Sequence, residues 1–282
     1  MRRFLIGLLV VAIAPSLLLA SETEQDDYVA RMEREHATDK PVASPAAEVE
    51  PGEEVASKEV VYASIDGNDI VGYLALPAAG EPTAGVLVIH EWWGLNDNVK
   101  SMARQLAGEG YAALAVDLYE GELAETREDA GRLARASGNN PERGRENLRQ
   151  AWEYLKDEGG VSKVGVIGWC FGGGWSLQTA LMLGEDIDAA VIYYGRVVTD
   201  RDALEPLVSP VLGIFGAEDG GIPVATVREF QTTLDLLGKN ASIHIYEGAD
   251  HAFANPSGTR YNKDAAEDAW SRTLAFLGHH LR

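Results

Sequence analysis

The sequence predicts an α/β fold: a mostly parallel, doubly wound sheet with helices on both faces and an antiparallel hairpin at its N-terminal edge. Three observations predict it. Short apolar runs at 85–89, 112–116, 164–167, 189–193 and 211–215 show no polar alternation, as expected of strands buried on both faces. Helical stretches alternate with them, and strand–helix alternation places parallel strands in one sheet. Upstream, residues 60–65 and 70–76 flank Asp66-Gly67-Asn68-Asp69, a hairpin signature.

In chain order, the first twenty residues stand apart. Arg2 and Arg3 precede an apolar run that breaks into Ser21-Glu22-Thr23-Glu24, the layout of a secretory signal peptide over 1–20. Pro15 and the short length argue against a stable membrane span, with an uncleaved anchor as the alternative. Export to the periplasm or medium is therefore expected. Residues 21–57 hold eleven acids and three bases, a net −8, with Pro41, Pro45 and Pro51 and few large apolar side chains. Such a segment is expected to be a disordered acidic tether, in which a helix around 28–36 would be marginal alone.

The folded domain is expected over 58–282. After the hairpin, helices are predicted near 98–107, 125–136, 142–157, 173–183 and 224–237, with a last strand at 242–246 and a terminal helix near 264–277. The whole chain of 282 residues carries a formal charge of −20, from 44 acids against 24 bases, with 46% hydrophobic residues. The first twenty residues contribute +2 and the tether −8, which leaves −14 on the domain. A surface this acidic repels phosphate, so nucleic acid is not an expected partner. The one cysteine, Cys170, excludes an intrachain disulfide framework.

Cys170 sits where an apolar strand runs into Gly168-Trp169-Cys170-Phe171-Gly172 and then a helix. Gly-x-nucleophile-x-Gly is the frame of a nucleophile elbow, which usually presents serine. A thiol at a helix N-terminus is held toward its thiolate form by the aligned amides. A nucleophile needs a base, and the base needs an orienting acid. Asp219 follows the strand at 211–215, and His251 lies in the loop after the last strand, both at the same sheet edge as Cys170. Asp250 is adjacent to His251 and badly placed to reach its ring, so Asp219 is the expected orienter. The expected oxyanion donors are the backbone amides of Phe171 and Trp92. Glu91 precedes Trp92 and is expected to face the nucleophile pocket.

The segments His90-Glu91-Trp92-Trp93-Gly94, Asp117-Leu118-Tyr119, Gly168 to Gly173, Tyr193-Tyr194-Gly195, Gly216 to Asp219 and Asp250-His251-Ala252-Phe253 resemble those of the dienelactone hydrolase family. The resemblance spans about 58–282. It implies an α/β-hydrolase fold, a Cys170–Asp219–His251 triad and a glutamate, Glu91, that contacts the resting cysteine and takes part in activating it. It also implies hydrolysis of enol-lactones and related esters through a thioester, without cofactor. Two places depart from the family. Where arginines bind the substrate carboxylate, this chain has Gly121, between Glu120 and Glu122, and Asn255. Arg127, Arg196 and Arg260 are the candidates to replace them from other loops.

The expected partner is a small ester or lactone, the expected state is a monomer, and no metal is expected, since no second cysteine or paired His/acid spacing is present. His244 reads as a strand residue, and His279 and His280 as a solvated tail. The alternative function is a non-catalytic ligand-binding or thiol-sensing protein on a hydrolase scaffold.

Overall fold

The computed structural model describes residues 22–42 and 51–282. Its elements are, in order, α1 (Glu22–Glu35), β1 (Val55–Ile65), β2 (Asn68–Pro77), β3 (Ala84–Ile89), α2 (Asp97–Gly108), β4 (Ala112–Val116), α3 (Arg127–Asn139), α4 (Pro141–Asp157), β5 (Lys163–Trp169), α5 (Phe171–Leu183), β6 (Ala189–Tyr193), α6 (Arg201–Leu204), β7 (Val211–Gly216), α7 (Val224–Leu236), β8 (Ala241–Tyr246) and α8 (Lys263–Leu281). They form one 8-stranded sheet of order β1-β2-β4-β3-β5-β6-β7-β8. Only β1–β2 and β2–β4 pair antiparallel; the other ladders are parallel.

Every residue of β3, β4, β6 and β7 is buried, as their unbroken apolar runs require. The covering helices lie on opposite faces. Gly85 on β3 looks at Leu155 of α4, while Gly165 on β5 looks at Leu277 and Leu281 of α8. Gly85 pairs with Val164, so Gly165 stands one residue on and faces the other way. The polar residues Asn96, Thr126 and Asn262 cap α2, α3 and α8, each accepting from a backbone amide of the first turn.

The hairpin turn is tighter than expected. Asn68 and Asp69 join the ladder opposite Ile65 and Ser64, which leaves Asp66 (φ 54°) and Gly67 (φ 82°) as a two-residue turn. Positive φ at both positions matches the right-handed twist of the flanking strands.

The larger difference concerns the segment expected as a disordered tether over 21–57. Residues 22–35 form α1, which docks on the domain, and β1 already begins at Val55. Tyr28, Val29 and Met32 share one face of α1 and are buried. Arg135 of α3 pairs with Asp26 and Glu33, and Arg260 pairs with Glu35 and Asp39. Composition shows too few apolar residues to form a core, but it does not show that they share a stripe matching a surface elsewhere in the chain. A helix marginal in isolation is stabilised by that burial. The proposed signal peptide over 1–20 lies outside the described residues. Among the described residues, no helix is long and apolar enough to cross a membrane.

Candidate active site

The parallel strands deliver the site to their C-terminal edge. Ile89 pairs with Gly168, Trp169 with Tyr193, and Gly216 with Tyr246, so the segments after β3, β5, β7 and β8 emerge side by side. Cys170 sits between β5 and α5 at φ 54° and ψ −113°, a conformation that costs free energy for any residue with a Cβ. The tight turn is possible because its neighbours are glycines. A Cβ on Gly168 would lie 2.1 Å from the Gly172 carbonyl oxygen, and one on Gly172 would lie 2.4 Å from that of Ile89. The Cys170 amide donates to Tyr193 O at 3.0 Å, which pins the turn to β6.

His251 and Asp219 are joined by a hydrogen bond, Nδ1 to Oδ2, of 2.8 Å, and both side chains are fully buried. The other oxygen of Asp219 accepts from the amides of Gly221 and Ile222 at 2.8 and 2.7 Å, so the carboxylate is fixed before it meets the ring. Asp250 turns back to accept from the His251 backbone amide at 2.6 Å and does not orient the ring. With Nδ1 engaged, the Nε2 of His251 is left for the sulfur; it is buried and makes no hydrogen bond.

A second imidazole completes the cluster. His36, just past α1, places Nε2 3.7 Å from Cys170 Sγ, and its own Nδ1 lies 2.8 Å from Asp39 Oδ2. Its ring stacks on Trp92 at 4.4 Å between centroids and meets His251 edge-on at 5.2 Å. One ring nitrogen from each histidine and the sulfur all lie within 4.8 Å of one another. Among the described residues, this is the one group of ligand-type side chains close enough to hold a metal ion.

The electrostatics follow from this packing. Burial pushes the Cys170 thiol up, but His251 and His36 outweigh it and bring the thiol down to about 6. Burial also disfavours a charged His251, yet Asp219 and the Cys170 sulfur raise it well above its ordinary value. His36 is raised against its burial by Asp39 and Cys170. Asp39 is held well below the usual carboxylate range, since His36 and Arg260 outweigh its desolvation.

Glu91 stands at the edge of the same cluster. Its Oε2 accepts from Asn255 Nδ2 at 2.8 Å, while Oε1 is buried without a partner. Desolvation first, and the Cys170 sulfur second, push its carboxyl up to about 7. His90 shapes this loop: its Nε2 accepts from the Leu118 amide at 3.1 Å and its Nδ1 donates to Glu91 O at 2.6 Å. Trp92 is buried, and Phe171, first residue of α5, has an amide with no acceptor within the helix.

Cys170, Asp219, His251, Glu91, Trp92 and Phe171 thus come from four separate segments, after β3, β5, β7 and β8, to one place. The arginine substitutes do not reach it as free charges. Arg127 pairs with Glu128 on the surface, Arg196 bonds Gln25 and lies over Tyr28, and Arg260 is committed to Glu35 and Asp39. At the Gly121 position, the flanking Glu120 and Glu122 are paired with Arg143 and Arg132. Beside Glu91 opens a cavity of about 310 Å³, lined by Met102, Trp169, Tyr194, Asn255, Glu267 and Trp270 among others, with no lysine or arginine.

His36 and Asp39 were invisible to motif reading. They lie in the acidic segment, and His36 is 134 residues from its sulfur partner. The one signal available was the amphipathic spacing of 28–36. His244 bonds Ser242 within β8 and stays apart from the site.

The sheet, the elbow after its central strand and the acid and histidine loops that follow define an α/β hydrolase. The family model for the dienelactone hydrolase family matches residues 70–281. The chain belongs to that family and is a hydrolase. A candidate carboxymethylenebutenolidase of Saccharolobus solfataricus is 34% identical over 257 residues, covering 78% of this chain and 97% of that protein. Another from Methylorubrum extorquens is 32% identical and covers 72% and 74%. The crystal structure of a candidate dienelactone hydrolase from Klebsiella pneumoniae superposes with a TM-score of 0.73 at 27% identity, covering 80% and 99%.

Proposed function

We propose that this protein hydrolyses small neutral carboxylic esters or lactones through a thioester on Cys170. The observation that carries the reading is the strained elbow cysteine beside the Asp219–His251 pair, bonded at 2.8 Å. The thiolate attacks the carbonyl carbon, and the amides of Phe171 and Trp92 hold the oxyanion. The leaving oxygen takes a proton from an imidazole. Water, deprotonated by His251, then cleaves the thioester and regenerates the thiol. Asp219 holds His251 in the tautomer that presents Nε2 and stabilises its cation. Glu91, half-buried and near the sulfur, favours a neutral carboxyl until the sulfur's charge is used in attack.

Neutral substrates are favoured because Gly121 and Asn255 stand where a carboxylate-binding cation is expected, and because Glu91 and Glu267 line the adjoining cavity. A substrate carboxylate there would meet no lysine or arginine in the cavity lining and be left unpaired. The apolar walls of Met102, Trp169 and Trp270 suit the alkyl or aryl part of an ester. The reading of residues 1–20 as a signal peptide adds export to this proposal.

The test is turnover on a panel of neutral and carboxylate-bearing esters and lactones by wild type and Cys170→Ala. Wild-type turnover of the neutral members, abolished in Cys170→Ala, is expected. Equal inactivity of both proteins across the panel sinks the hydrolase mechanism. Equal rates on anionic and neutral members sink the substrate reading alone.

A further inference from the structure

Two Asp–His pairs, rather than one, converge on the same sulfur. Asp219–His251 comes from the sheet edge, and Asp39–His36 comes from the segment after α1. The second pair is built like the first. Asp39 receives Arg260 Nη2 at 2.7 Å and Thr259 Oγ1 at 2.9 Å, so its carboxylate is anchored before it accepts from His36 Nδ1. With Nδ1 committed, the nitrogen that faces the thiol is Nε2, the one with a lone pair to accept a proton. His36 is 2% exposed and locked against Trp92, so it is held there rather than passing by. Both rings act on the sulfur, Nε2 of His36 at 3.7 Å from Sγ and Nε2 of the buried His251 within 4.8 Å of it.

We propose that His36, aligned by Asp39, is a second catalytic imidazole that takes the Cys170 proton during acylation and leaves His251 free to activate the water that cleaves the thioester. This rests on the ester-hydrolase reading above and divides its proton transfers between two bases.

The steps balance. Ahead of attack the S–H bond breaks as N–H forms at His36 Nε2, giving the thiolate that predominates above about pH 6 and an imidazolium whose charge faces Asp39. The sulfur–carbon bond forms and the carbonyl electron pair moves to oxygen. On collapse the bond to the leaving oxygen breaks, and that oxygen takes the proton from His36, so alcohol and thioester result and His36 is neutral again. His251 Nε2 then removes a proton from water, hydroxide adds to the thioester, and collapse releases the acid. The expelled thiolate recovers the proton from His251. One histidine in a triad must serve both half-reactions in turn; here each has its own. The other ionisable groups whose charge is felt at the sulfur are Glu91 and the phenols of Tyr28, Tyr119 and Tyr194. Glu91 and the two imidazoles can exchange a proton near neutral pH, and of these the imidazoles are the groups with a nitrogen within 4.8 Å of Sγ.

Pre-steady-state kinetics with p-nitrophenyl acetate separate the half-reactions, the burst reporting acylation and the steady state deacylation. His36→Gln is expected to slow the burst by roughly 100-fold or more. It should also move the pH midpoint of Cys170 alkylation by iodoacetamide upward, toward the value of about 8.5 of a free thiol. Asp39→Asn should do both to a lesser degree. His251→Gln should still acylate and then accumulate a thioester visible by intact-protein mass spectrometry. Added imidazole should restore part of the His36→Ala burst, which a purely structural His36 would not allow. Unchanged burst and alkylation profiles in His36→Gln overturn the inference. So does a His251→Gln protein that cannot acylate, or a slowed His36→Ala that imidazole fails to rescue. A wild type that forms no acyl-enzyme with any ester refutes the hydrolase reading instead.

Discussion

Replacing Glu91 with Gln tests the electrostatics of the site without touching Cys170. Glu91 Oε1 is buried with no partner, and Oε2 has a single hydrogen bond from Asn255, too little to compensate a buried negative charge. The folded protein therefore holds the proton more tightly than the unfolded chain, at about 7 against an ordinary 4.5. That difference corresponds to roughly 3 kcal/mol, or about 2 kcal/mol after allowing for the residue's partial contact with solvent. Because the folded value is the higher one, this contribution is fully present below 4.5 and is lost as the pH rises to about 7. Gln keeps an oxygen to accept from Asn255 and never ionises. Urea unfolding of wild type and Glu91→Gln at pH 5 and pH 8 reads the effect. The variant should gain about 2 kcal/mol relative to wild type on going from the lower pH to the higher. Repeating the pair in Cys170→Ser separates desolvation from the sulfur's own charge. An identical difference between Glu91 and Gln proteins at both pH values refutes a carboxyl destabilised by burial.

Other consequences follow from the same geometry. Asp219→Asn should keep the fold but cost roughly 10³ to 10⁴ in kcat, because His251 then loses both its tautomer preference and the stabilisation of its cation; a drop below tenfold in a steady-state assay contradicts that role. The acid limb of the pH–rate profile should bend near pH 6, where Cys170 gains its proton, with the thiolate present above that value and lost below it; a limb unmoved by Cys170→Ser would assign it to another group. Gly168→Ala should abolish activity and destabilise by more than 3 kcal/mol, since its methyl would overlap the Gly172 carbonyl; calorimetry showing a wild-type Tm counts against the turn geometry. Met32→Asp should release α1 by placing a charge against the loop at Gly221, read as rapid hydrogen exchange over residues 22–35, and protection equal to wild type contradicts docking by that face.

Much of the scaffold could be read from local pattern. The strands at β3, β4, β6 and β7 are unbroken apolar runs because both faces are covered, and periodicity reports that directly. The elbow was readable for a similar reason: Gly168 and Gly172 answer a steric demand inside a five-residue span. The Asp219–His251 pairing needed one further premise, the order of loops on a parallel sheet edge, and Asp250 was set aside on local geometry alone. Arg260 is legible in the sequence as a candidate cation for the site, but its commitment to Asp39 and Glu35 depends on where the acidic segment lies.

The sequence by itself determined the architecture, the family and the set of residues at the strand ends, because those depend on short-range spacing and on a sheet whose connections follow few routes. Only the tertiary structure decided the role of residues 22–42. Their composition is that of a solvated tether, and their helix is too short to persist alone. What makes them ordered is a surface formed by α3 and by the loops carrying Gly221 and Arg260, far along the chain, against which Tyr28, Val29, Met32 and His36 are buried. Complementarity of that kind is a property of two surfaces, and one stretch of sequence holds only one of them.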